Sequence, residues 1–176
     1  MAAQIGYYDS LKSVAGKVFA YLASITITGT DGKTLTVSDD VSLGQAAVAF
    51  TPGITFGGAA SGVTYDTGNA GVYIKTGKQV AIMGCLALTS KGSSIGDAVI
   101  TGLPFQANNG AWYGNSPVDL HLNIITFGGR AQSQVVRNKQ TISLNQITDL
   151  GVNSALTDAN FANNSIIYFT GVYFTA

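Results

Sequence analysis

From Gly62 to the last residue the chain is written in short runs that alternate apolar and polar positions, and the runs are separated by glycine, proline or asparagine signals. A period of two marks a strand with one buried face, and closely spaced turn signals leave no room for a helix between strands. Val72–Lys75 alternates and Thr76-Gly77 turns it. In Val118–Phe127, Val118, Leu120, Leu122 and Ile124 take inward positions, and Asp119, His121 and Asn123 outward ones. Gln132–Arg137 and Thr141–Ile147 form a hairpin around Asn138-Lys139, and "SIIYFTGVYF", Ser165–Phe174, is the closing strand. Two runs are apolar on both faces. In Gln79–Leu88, Val80, Ile82, Leu86 and Leu88 share one face, and Ala81, Met83, Cys85 and Ala87 the other; Ser165–Phe174 behaves likewise. Such strands belong inside a sandwich or against a neighbouring subunit. The pattern predicts an all-β fold over residues 62–176, an antiparallel β-sandwich of jelly-roll type. An apolar content of 46% is more than one small sandwich hides, so an oligomer is expected.

The first part of the chain reads differently. Residues 7–23 hold the only helical spacing, with Leu11, Ala15, Val18 and Leu22 on one stripe and Asp9 or Ser10 as cap. So short a helix is marginal in water and needs a surface to pack on. "ASITITGTDGKTLTV" then predicts a hairpin with Asp31-Gly32 as a two-residue turn. This gives three parts: residues 1–45, a short N-terminal helix and β-hairpin stalk for attachment; residues 46–61, a connector; and residues 62–176, the head.

Composition narrows the chemistry. The chain has no glutamate and nine aspartates, balanced by nine Lys and Arg, and its charged fraction is 10% against about 25% in ordinary domains. A general base is therefore scarce. The single histidine, His121, stands on a polar strand face, and no G-x-S-x-G elbow accompanies it. Cys85, in "AIMGCLAL", has no charged neighbour to make it reactive and reads as a small core residue. Asp31 suits a turn, and Asp39 and Asp40 a solvated linker; neither stretch has the alternating acids of a calcium loop. "TFGGAASG" lacks the Lys-Ser/Thr pair of a phosphate loop, and basic residues cluster only in "VVRNKQ". The expectation is a protein that is not an enzyme, with no catalytic residue, cofactor or metal and no nucleic-acid partner. No run approaches the ~20 apolar residues of a membrane span, and the N-terminus is unlike a secretory signal. Synthesis in a cytosol without membrane insertion is expected.

One segment concentrates binding chemistry. "GLPFQANNGAWYGNSP" brings Trp112 and Tyr113, two stacking surfaces, beside the amides of Asn108, Asn109 and Asn115. Apolar faces with amides fixing hydroxyl groups are what a sugar site uses. The plainer reading is a loop whose Trp112 plugs the core or a subunit seam.

The segment "GVYIKTGKQVAIMGCLALTSKGSSIGDAVITGLPF" resembles one in phage tail fibres and related virion surface proteins. The resemblance rests on Tyr73, Lys75, Gly77, Val80, Lys91, Gly92, Ser93, Gly96, Ile100 and Gly102–Phe105. The ending "IIYFTGVYFTA" is similar to the closing strand of such domains, and "ITITGTDGKTLTVSDDVSL" to their Thr/Gly-rich shafts. The resemblance covers roughly residues 25–37 and 62–176. It implies a homotrimeric structural protein on a virion surface, joined to other virion proteins through its N-terminal segment and meeting a host surface glycan or protein. A short tail fibre, a capsid decoration protein and a head fibre all fit it. A free-standing carbohydrate-binding module is a further alternative from composition. The resemblance assigns no catalytic or binding residue.

Overall fold

Alternation becomes strands over nearly the whole of the second part of the chain. The computed structural model describes Ser24–Thr28, Thr34–Ser38 and residues 46–111 and 114–176. The chain divides into two compact units, Met1–Gly44 and Gln45–Ala176. The helix expected over residues 7–23 lies outside the described residues.

In the first unit β1 (Ser24–Thr28) pairs antiparallel with β2 (Thr34–Ser38). The hairpin is as expected, but its register is not that of a two-residue turn at Asp31-Gly32, which would set Thr28 opposite Leu35. Thr28 pairs with Thr34, Ile27 with Leu35 and Ile25 with Val37. Apolar residues thus stand opposite apolar ones, the pairing that stabilises a sheet.

The second unit is one antiparallel sheet. Its strands are β3 (Val48–Phe50), β4 (Gly53–Phe56), β5 (Val63–Tyr65), β6 (Ala70–Thr76), β7 (Gln79–Lys91), β8 (Ala98–Thr101), β9 (Ser116–Ile125), β10 (Arg130–Val135), β11 (Ile142–Ile147), β12 (Asn153–Ala155) and β13 (Phe161–Phe174). They run in the order β3-β6-β7-β13-β9-β10-β11-β8-β4, with β5 also on β7 and β12 also on β11. β3 and β4 stand at opposite edges, yet only Thr51 and Pro52 join them. The sheet must therefore curl, and it forms an open half-barrel over its own core. The two layers expected of a sandwich are thus parts of one curled sheet.

The inner face carries Ile54, Phe56, Val80, Leu86, Ile100, Val135, Ile142, Leu144, Ile167 and Tyr173, each exposed by no more than 1%. Residues 46–61 are therefore not a connector: they supply both edge strands and two core residues. Their alternation is too short to separate from a loop by pattern alone. Tyr65 Oη accepts the Ile54 N–H at 2.9 Å, and Asn69 Nδ2 donates to the Pro52 carbonyl at 2.9 Å, which seals this edge.

A row across four strands explains two glycines inside strands. Phe50 pairs with Gly71, Gly71 with Gly84 and Gly84 with Phe169. The two rings lie over the two glycines, with centroids 6.4 Å apart. A Cβ on Gly71 would meet the Phe50 ring at 2.5 Å, and one on Gly84 the Phe169 ring at 2.4 Å.

The segment Leu88–Phe105 is framework at both ends and a loop in the middle. Gly92 (φ +70°) and Gly96 (φ +119°) make the turns, and added Cβ atoms there would strike the Ser61 carbonyl at 2.1 Å and Gly57 Cα at 2.8 Å. Phe105 stacks edge-on to Tyr73 at 5.3 Å. The inward expectation for Ile124 is overturned. Its φ is +57° and it is 56% exposed, because β13 shifts register between Phe161 and Ile166 and Ser165 Oγ binds the Ile124 carbonyl.

Candidate functional site

The loop Gln106–Ser116 leaves the end of the sheet where β6 turns into β7 and where β13 finishes. Its first residues are fastened from three sides. Ala107 N–H donates to Lys139 O at 2.9 Å, Asn138 N–H returns to Ala107 O at 3.1 Å, and Asn108 N–H reaches Phe174 O at 2.7 Å. Gln106 Nε2 donates to the Asn138 carbonyl and to its Oδ1, both at 2.8 Å. Gly114 is closed in: a Cβ there would meet Gly110 O at 2.5 Å and Asn108 O at 2.6 Å. These bonds tie the described residues 106–111 and 114–116 into a platform on the end of the sheet.

The expected site residues separate by role. Asn108 is used at both ends of its amide: Oδ1 accepts the Gly110 N–H at 2.7 Å and Nδ2 donates to Thr175 O at 3.3 Å. Asn115 Oδ1 accepts the Arg137 N–H at 2.9 Å. Asn109 is exposed and, among the described residues, its side chain has no hydrogen-bond partner. Trp112 and Tyr113 lie outside the described residues. Beside the platform a depression of about 340 Å³ is lined by Lys78, Asn108, Phe174 and Thr175. Phe174 is 45% exposed there. The sequence marked it only as strand, because the pairing that brings the C-terminus to this loop is not local.

His121 and Cys85 lie away from this platform. His121 is exposed and tilted against Tyr168, ring centroids 5.9 Å apart. The carboxylate two residues away, Asp119, accepts the Leu120 N–H at 3.1 Å. Burial pushes the Cys85 thiol above its ordinary value, partly offset by its hydrogen bond to Tyr168. Among the described residues no three His, Cys, Asp or Glu side chains are grouped to hold a metal.

The outer face of β6, β7 and β13 is apolar. Val72, Ile74, Met83, Tyr168, Val172 and Phe174 are each at least 38% exposed, and Val72, Ile74, Met83 and Val172 line a shallow depression of about 350 Å³. These are outward positions of the two runs that are apolar on both faces, together with β6 beside them. On β10, β11 and β12 the outer face carries amides instead, Gln132, Gln134, Asn145 and Asn153 around a groove of about 190 Å³. The sequence reading did not single out these four, which are scattered over three strands.

No family model matches the chain, and no curated protein matches it. Among solved structures the fold is similar to part of the Dettilon tailspike protein (gp208), with a TM-score of 0.55 and 18% sequence identity over 73% of this chain. The likeness spans 23% of that protein's length.

Proposed function

We propose that the chain is a non-enzymatic virion structural protein, a short trimeric tail fibre that attaches a phage to a glycan on its host. It is made in the host cytoplasm and stands on the virion surface. Residues 1–45 join it to other virion proteins, and the curled sheet of residues 46–176 is the head. The observation that carries this reading is the fold shared with part of a tailspike over 73% of the chain. The tail-fibre resemblance of the segment Gly71–Phe105 supports it from the sequence side. The apolar outer face of β6, β7 and β13 supports assembly, since contiguous exposed apolar surface on this scale marks an interface. The loop Gln106–Ser116, whose sequence holds Trp112 and Tyr113 between Asn109 and Asn115, is the stacking element of the attachment surface.

The test is competition. Purified protein, added to host cells before the particle, is expected to reduce particle adsorption, and antibody against it should label the tail. Labelling of the capsid with no effect on adsorption would overturn the reading.

A further inference from the structure

The outer face of β10, β11 and β12 carries a groove lined by amides. β10 alternates so that Ser133 and Val135 point into the core while Gln132 and Gln134 point out; on β11 Ile142 and Leu144 point in while Ser143 and Asn145 point out. Register brings the outward set together: Gln132 stands opposite Asn145, Gln134 opposite Ser143 and Pro117 opposite Gln134. Asn153, on β12, reaches over β11, where its Oδ1 accepts from Gln132 Nε2 at 3.3 Å. That bond leaves the Asn153 amide N–H groups and the Gln132 carbonyl oxygen turned to other partners. Among the described residues, the Gln134 and Asn145 side chains have no hydrogen-bond partner, and Asn145 is half-buried. Neither amide is buried away from solvent, so their donors and acceptors are free to meet a ligand that both donates and accepts.

The lining of the groove carries no charge. Arg130 and Asp119 occupy neighbouring outward positions on β10 and β9, outside that lining. An anion or cation would lose its hydration there without an opposite charge to offset the loss. A hydroxyl group is both donor and acceptor and matches an amide either way round. Strands about 4.8 Å apart set amides from adjacent strands close enough to meet different hydroxyl groups of one ring. The Pro117 ring gives a flat hydrocarbon wall for the aliphatic face of a sugar. At about 190 Å³ the groove is smaller than the ~300 Å³ at which drug-sized pockets begin, so it suits a single sugar ring of a longer chain.

We propose that the groove formed by Pro117, Gln132, Gln134, Asn145 and Asn153 binds one residue of an uncharged surface polysaccharide. This rests on the attachment reading and gives its ligand class and a site apart from the aromatic loop.

The probes are surface polysaccharides extracted from the strain that the particle infects, split into neutral and acidic fractions and immobilised. The full-length protein is compared with Gln134→Ala and Asn153→Ala, both at exposed positions, with Asn153→Trp, which fills the groove, and with Trp112→Ala in the loop. The wild type is expected to be retained on the neutral fraction. All three groove variants should bind at least tenfold more weakly with unchanged melting temperature. Undiminished binding by Asn153→Trp, or retention on the acidic fraction alone, overturns the groove. Loss through Trp112→Ala only, at unchanged melting temperature, also overturns it but leaves glycan attachment standing. A wild type that competes with particle adsorption yet is retained on neither fraction overturns the groove and the glycan, and leaves attachment to a protein. If it neither competes nor is retained, the attachment reading falls as well.

Discussion

Gly84 and Tyr173 show how single residues hold the two ends of the core. Phe169 lies against Gly84 so closely that Gly84→Ala would place a methyl 2.4 Å from the ring. The neighbour is an aromatic ring that is itself 2% exposed, so it has little room to swing away. Overpacking of this kind costs about 1–3 kcal/mol. A urea midpoint lowered by that loss divided by an unchanged slope is the expected result; an unshifted midpoint would show that the ring is free to move. Tyr173 is fully buried, and its hydroxyl accepts the Phe105 N–H at 3.2 Å and donates to the Phe105 carbonyl at 3.0 Å. This is what pins "GLPF" to the last strand. Tyr173→Phe leaves both backbone groups unpaired and is expected to cost about 1–3 kcal/mol. Burial pushes the hydroxyl up to about 12 from an ordinary 10, against the lowering effect of its bond to the Phe105 backbone. The folded state therefore holds this proton more tightly than the unfolded chain. Its contribution is complete below pH 10 and falls as pH rises from 10 to about 12. Thermal melts across that window should show a drop that Tyr173→Phe lacks.

At the scale of an element, the connection from β7 to β8 depends on one carboxylate. Asp158, in the 3₁₀ turn Asp158–Asn160, accepts the Gly96 N–H through Oδ1 at 2.9 Å. Its Oδ2 lies 3.8 Å from Lys91 Nζ. Its own N–H donates to Gly96 O at 3.1 Å, so loop and turn are tied in both directions. The ion pair is long and partly solvated, worth at most about 1 kcal/mol, whereas the bond to Gly96 is a charge-assisted one worth about 1.5–3 kcal/mol. Asp158→Ala is therefore expected to destabilise by about 2 kcal/mol, and Lys91→Ala by under about 1. Denaturant titration of the two variants separates the contributions; equal losses would mean that the ion pair dominates.

At the scale of the molecule, the outer face of β6, β7 and β13 exposes apolar side chains that partner copies would cover. In the proposed homotrimer this face meets its neighbours, and Met83, 60% exposed in the single chain, lies in the seam. Light scattering is expected to give three times the 18.1 kDa chain mass. Met83→Asp combined with Val172→Asp places charges in the seam and should return a folded monomer. A monomeric wild type at micromolar concentration would defeat the trimer.

Local sequence by itself determined which residues of the long strands face the core, except at Ile124, where a register shift in β13 intervenes. Val80, Ile82, Leu86, Val118, Ile142 and Leu144 are buried where the period of two put them, because strand geometry sends successive side chains to opposite faces. Turn chemistry was equally legible at Gly77, Gly92, Gly96 and Asn138, all with positive φ. Tertiary structure alone decided which strand lies beside which. β13 sits between β7 and β9, and β3 and β4 at opposite edges, through pairings remote in sequence that no local period encodes. For the same reason the need for glycine at 71 and 84 comes from two phenylalanines, Phe50 and Phe169, that only the pairing of distant strands brings over them. The amides of the groove, Gln132, Gln134, Asn145 and Asn153, lie on three separate strands. Only the register of β10, β11 and β12 makes one site of them.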